Sequence, residues 1–249
     1  MERLEKLIQG LIRNMPLTFG IVILTMDAIA FSAPIFAHLG LTDVASVIYR
    51  VYSFLCHQRP WRSIHIFDYQ VAWCTRDTFI YLSIGLAGIL VKLRKIRRVP
   101  WFLAVLSIIP IALDGGTQFI AEMQATLNDQ LDFFYASTNF FRMLTGTIFG
   151  TGVGLWLFSM MDETIEEETS VKNEKFKMKN SKVRSWRSHY LFYYGLIIAI
   201  CFISYLGIVQ VWRITSSEYG PSGPLDHKRY FPGVNYEEVE GLGRGGHGV

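Results

Sequence analysis

Charge and cysteine are both scarce in this chain of 249 residues: Asp, Glu, Lys and Arg make up 18% of it, and there are three cysteines. So few thiols exclude a disulfide-dense scaffold, and 8 prolines with 21 glycines in no triplet period exclude a collagen-like one. The net charge is only +3, so nothing in the charge balance calls for nucleic acid or for an acidic partner. No internal repeat is present, which counts against a transporter built from repeated halves. What the chain has in abundance is apolar residues, 51% of the total, including 18 Phe, 12 Tyr and 6 Trp gathered into long runs. That composition excludes a disordered chain and specifies an integral membrane protein.

Lipid offers no partner to backbone N–H and C=O groups, so a crossing segment needs about 20 mainly apolar residues wound as a helix. Five segments approach this: Leu17–Leu39, Thr78–Leu93, Pro100–Leu113, Asn139–Met161 and Tyr190–Trp212. The expected fold is therefore all-α, a polytopic helical bundle of about five spans. Pro100–Leu113 is short and contains Pro110, so whether it crosses or re-enters stays open. Ahead of the spans, Leu4, Leu7, Ile8, Leu11 and Ile12 recur at helical spacing, which predicts an amphipathic helix lying along the membrane surface.

Basic residues are retained on the cytoplasmic side of short loops. KLRKIRR at Lys92–Arg98 therefore places the second connection inside, and five crossings put the N-terminus in the cytoplasm and the C-terminus outside. The chain divides into an interfacial helix (1–16), a four-span core (17–161), a charged cytoplasmic loop (162–189), a fifth span (190–213) and an extracytoplasmic Gly/Pro-rich tail (214–249). This predicts a multi-pass protein of the cell membrane.

The informative stretch lies between the first two spans and at the matching ends of the later ones. Cys56-His57-Gln58-Arg59-Pro60 is followed by Arg62, Ser63 and His65, then by Cys74-Thr75-Arg76-Asp77. Asp114-Gly115-Gly116-Thr117-Gln118 ends the third segment, and Asn139, Arg142, Thr145 and Gly146 open the fourth. Three separate stretches thus bring polar groups to one depth. Over Tyr49–Gly152 the pattern CHQ-x-P-x-R-S, C-x-R-D, Asp-Gly-x-x-Gln and N-x-x-R-x-x-T-G-x-x-x-G resembles the predicted membrane proteins of domain of unknown function 2085. Phe79 stands where that pattern often has Gly, and Phe119–Ser137 is longer than usual. The resemblance implies a membrane fold and supplies no activity.

An ionisable group inside a span is costly and faces the bundle interior or a water-filled site. Arg142 therefore needs a partner, with Asp77 and Asp114 the obvious carboxylates. Arg62, Arg76 and Arg142, with Gln58, Gln118 and Asn139, form a candidate site for an anionic, lipid-like molecule or a quinone. His57, Asp77 and Asp114 are the candidate proton-moving groups, whether the protein is an enzyme or only a binder. The other reading is a non-catalytic accessory subunit that docks onto partner chains of a larger membrane complex, its charges merely holding the fold. Cys56 and Cys74 are candidates for a disulfide on the oxidising side. A zinc site from Cys56, His57, His65 and Cys74 lacks the usual ligand spacing, so no metal is expected. No cofactor is specified. Asp27, deep in the first span, requires a polar partner or a water path.

Overall fold

A computed structural model describes residues 2–96, 98–127, 135–172 and 190–216. Among them are seven α-helices and one small hairpin: α1 (Glu2–Arg13), α2 (Met15–His38), α3 (Thr42–Tyr52), a single 3-10 turn (Pro60–Arg62), β1 (Ser63–Ile66), β2 (Tyr69–Cys74), α4 (Thr75–Arg94), α5 (Trp101–Leu127), α6 (Asn139–Lys172) and α7 (Tyr190–Thr215).

Four helices, α2, α5, α6 and α7, are long and apolar enough to cross a membrane. Their large side chains point outward: Phe19, Ile21 and Val22 on α2, Phe102, Leu106 and Ile109 on α5, and Phe192, Ile203 and Leu206 on α7 are all exposed. A soluble bundle would bury these groups, whereas here lipid covers them.

The remaining expected span, α4, is the exception. Its 20 residues rise about 30 Å, enough to cross, but its apolar side chains are enclosed by neighbours and of its large hydrophobics only Leu93 is exposed. A helix walled in by protein does not need to be lipid-soluble, which is why α4 carries Ser83, Gly85 and Gly88 on buried positions.

The direction of each helix follows from its contacts. Gly20 meets Gly85, and Gly88 meets the Pro16 carbonyl, so α2 and α4 are antiparallel. Gly146, Gly150 and Gly154 lie in turn against Arg76, Ile80 and Ile84, so α4 and α6 are parallel. Of these three, Gly150 is the closest approach: an added Cβ would stand 2.1 Å from Ser83 Oγ and 2.4 Å from the Ile80 carbonyl oxygen. Gly152 meets Ser107, while Thr145 reaches Asp114, so α5 runs against α6. Tyr194 donates to the Ile148 carbonyl and Tyr205 packs near Phe140, so α7 runs against α6 as well.

Two boundaries differ from expectation. The third segment does not stop at Leu113; α5 continues to Leu127 through Pro110 and the double glycine Gly115-Gly116, and the stretch from Val99, just ahead of it, whose N–H donates to Ser159 Oγ, to Asp114 traverses the bundle. Tertiary packing against α6 supports these residues, which propensity alone disfavours. The fourth helix likewise runs past Met161 to Lys172, since Asp162 pairs with Lys92 at 2.7 Å and Glu163 lies 3.9 Å from Arg98. Of the expected charged loop, 173–189 lies outside the described residues, as does 217–249 of the tail.

The hairpin was not anticipated. Phe67 and Asp68 both take positive φ (56° and 64°), the pairing that turns a two-residue hairpin with the natural strand twist. Stacking of Phe67 on His38, with ring centroids 4.1 Å apart, holds it there. The Phe67 and Asp68 amides donate to Thr215 Oγ1 and Ser216 Oγ. The hairpin thus caps the end of the bundle where α4 and α6 begin.

Candidate functional site

The loop from Ser53 to Arg62 is anchored from beneath. Gln58, fully buried and left-handed at φ 49°, donates through Nε2 to the Tyr49 carbonyl at 2.8 Å and the Ala72 carbonyl at 3.0 Å. Both amide hydrogens therefore brace α3 to β2. His57 next to it is exposed and takes no place in the buried network among the described residues. His65 is buried under the ring of Trp212, with centroids 5.4 Å apart, and burial lowers its imidazole to about 4, so it is neutral at pH 7.

Pairing of Ser63 with Cys74 brings the end of β2 back alongside the end of this loop. Cys74 is at once the last strand residue and the N-cap of α4, its sulfur accepting the Asp77 amide hydrogen at 3.5 Å. Its thiol donates to Asp77 Oδ2 at 3.2 Å, and its own backbone N–H donates to Cys56 Sγ at 3.3 Å. The structure places Cys56 and Cys74 side by side, both as free thiols. The hydrogen bond with Cys74, and then burial, hold the Cys56 thiol well above the ordinary range.

Three further groups surround the thiols. Arg76 pairs with Asp114, whose carboxylate also accepts from Tyr135 Oη at 2.6 Å, Ser137 Oγ at 2.9 Å and Thr145 Oγ1 at 3.5 Å. Arg59 and Arg62 converge on Glu122, the former at 3.1 Å, and Gln118 Nε2 donates to the same carboxylate at 2.9 Å. Burial, followed by repulsion from Arg59 and Arg142, lowers the Arg62 guanidinium to about 9.

Arg142 is only 1% exposed. Its guanidinium donates to the Trp61 carbonyl at 3.2 Å, Asn139 Oδ1 at 3.1 Å and Gln118 Oε1 at 3.5 Å, all neutral, and its Nε has no hydrogen-bond partner among the described residues. Asn139 is fixed for this purpose by Thr75, which donates to the same oxygen at 3.1 Å. Of the two carboxylates expected to neutralise Arg142, Asp114 pairs instead with Arg76 and Asp77 with Cys74. The reason is geometric: Arg76 opens α4 directly opposite the point where α5 presents Asp114.

The structure thus gathers Cys56, Arg62, Cys74, Arg76, Asp77, Asp114, Gln118, Asn139 and Arg142 at one end of the bundle, and leaves His57 outside. Sequence reasoning missed Glu122, Thr75, Tyr135 and Ser137. Glu122 was recoverable, because Gln118 and Glu122 share a helix face once α5 is continued past Leu113; Tyr135 and Ser137 carried no pattern. Asp27, 6% exposed in α2, has no hydrogen-bond partner for either carboxylate oxygen among the described residues.

Outward-facing apolar helices around a sequestered charged cluster define a polytopic α-helical membrane protein. The chain belongs to the family described as predicted membrane protein (DUF2085), whose model matches residues 56–156, the stretch that holds every residue gathered in the site. An uncharacterized protein of Methanocaldococcus jannaschii, MJ1492, is 34% identical over 146 residues, covering 54% of this chain and 85% of that relative. No solved structure matches the chain.

Proposed function

We propose that the charged end of the bundle lies at the extracytoplasmic face of the cell membrane and binds the anionic head group of a lipid-like molecule, with Arg62 and Arg142 as its cationic donors. The supporting observation is Arg142, a buried guanidinium with neutral acceptors and an unused Nε donor. A buried cation that lacks a carboxylate partner gains most from an anionic ligand. Among the described residues of this region, four arginines (Arg59, Arg62, Arg76 and Arg142) face three carboxylates (Asp77, Asp114 and Glu122), an excess of one positive charge. Exposed apolar faces on α2 and α5 would seat the tail of such a ligand.

The test is mass spectrometry of the protein released gently from detergent, with and without Arg142→Gln. A stoichiometric anionic lipid-like adduct that the variant loses supports the reading. Equal retention of anionic and zwitterionic lipids by both proteins overturns it.

A second reading, the accessory subunit, is favoured by the neutralisation of Arg59, Arg62 and Arg76 within the chain. In that case the cluster is scaffolding, the N-terminal helix docks on other chains, and stoichiometric partner proteins co-purify in place of a lipid.

A further inference from the structure

We propose that Cys56, Cys74 and Asp77 form a binding site for a thiophilic divalent cation of the zinc class, with two thiolates and one carboxylate from the protein and a fourth position open. This goes beyond the anion-binding reading and does not rest on it.

The geometry comes first. The two sulfurs and a carboxylate oxygen of Asp77 all lie within 4.8 Å of one another. In tetrahedral zinc coordination, with metal–sulfur near 2.3 Å and metal–oxygen near 2.1 Å, donor atoms sit about 3.6–3.8 Å apart. The Cys74 sulfur and Asp77 Oδ2 are already 3.2 Å apart, so small side-chain rotations admit an ion. The backbone behind the donors is braced: the Ser63–Cys74 pairing fixes one cysteine, and the Cys56 N–H, donating to the Tyr52 carbonyl at 3.0 Å, fixes the other.

The electrostatics point the same way. A divalent ion with two thiolates and a carboxylate carries one net negative charge. Cys74 is an electrostatic neighbour of both Arg62 and Arg142, so that negative charge falls among cations, and the unused Arg142 Nε donor stays available to an anionic ligand. Binding releases the two thiol protons to solvent, and no oxidant or reductant is required.

Ligand-spacing rules overlook this site for two reasons. The cysteines are 18 residues apart, and the third donor is a carboxylate from the first turn of α4. The histidines that invite a zinc reading are elsewhere, His57 exposed and His65 beneath Trp212.

The test uses the full chain in detergent, reduced, stripped with a chelator, and titrated with Co²⁺ or Zn²⁺. One ion per chain is expected, with a sulfur-to-cobalt charge-transfer band and protection of two thiols from alkylation. Cys56→Ser and Cys74→Ser abolish the band, Asp77→Asn weakens binding at least about tenfold, and Cys201→Ser changes nothing. The wild-type spectrum requires no variant to fold, so a reduced protein that shows no thiolate–cobalt band overturns the proposal. Formation of a Cys56–Cys74 disulfide by an added thiol oxidant at the same rate with and without excess Zn²⁺ overturns it equally.

Discussion

At the scale of single residues, the consequences are those of charge and proton placement. His65 is buried and neutral, with its imidazole lowered from 6.5 to about 4. The unfolded chain therefore takes up a proton on lowering the pH through 6.5 while the folded one does not. Stability attributable to His65 is complete above pH 6.5 and is lost progressively as the pH falls toward 4, by about 3 kcal/mol in all. Unfolding midpoints measured in detergent between pH 7 and pH 4 should show this slope, and His65→Gln should flatten it.

Asp114 is the counterpart case. It is the acceptor for Arg76, Tyr135, Ser137 and Thr145, so Asp114→Ala strands a largely buried guanidinium. Removing one partner of such a pair costs about 3 kcal/mol. Thermal unfolding of Asp114→Ala should therefore drop far below wild type, whereas Arg98→Ala, whose Glu163 pair is exposed, should be nearly silent.

Among elements, the α4–α6 contact decides the architecture. These helices run parallel and lie close because Gly146, Gly150 and Gly154 offer no side chain at the crossing. Gly150→Ala forces the Ile80 backbone to move and should cost about 1–3 kcal/mol in unfolding experiments; Gly195→Ala, with open space around it, should cost nothing comparable. The Gly146-x-x-x-Gly150 spacing fits close helix packing on α6, but spacing alone does not say against which helix. The same limit applies to α4: its modest apolarity reads as a weaker span, and the structure explains it as the helix most enclosed by others.

On the scale of the whole molecule, the alternating helices separate two ends. Lys92, Asp162 and Pro16 share one, and the hairpin, the thiols and the arginines share the other. Cysteines introduced at Lys95→Cys and Asp68→Cys should therefore label from opposite sides of sealed vesicles. Labelling of both from one side would mean that α4 does not cross. The basic run at Lys92–Arg98 predicts that Lys95 is reached only from the cytoplasmic side.

Some of this was determined by the sequence alone. Long apolar runs can only be helices in lipid, so the membrane class, the helical fold and the positions of most spans were legible from composition and run length. The convergence of Cys56, Arg76, Asp114 and Arg142 at one depth was legible too, since each stands at the same end of its segment. What only the tertiary structure decided was partnership. Which carboxylate meets Arg76, that Glu122 gathers two arginines, and that Asp77 joins two cysteines 18 residues apart all depend on helix rotation and on the strand register. Charge pairing acts over a few ångströms, whereas the apolar pattern sets helix positions only to within a turn. The hairpin and the full length of α5 escaped for the same reason: contacts with α6, α7 and His38, absent from any local window, hold residues that local propensity would leave irregular.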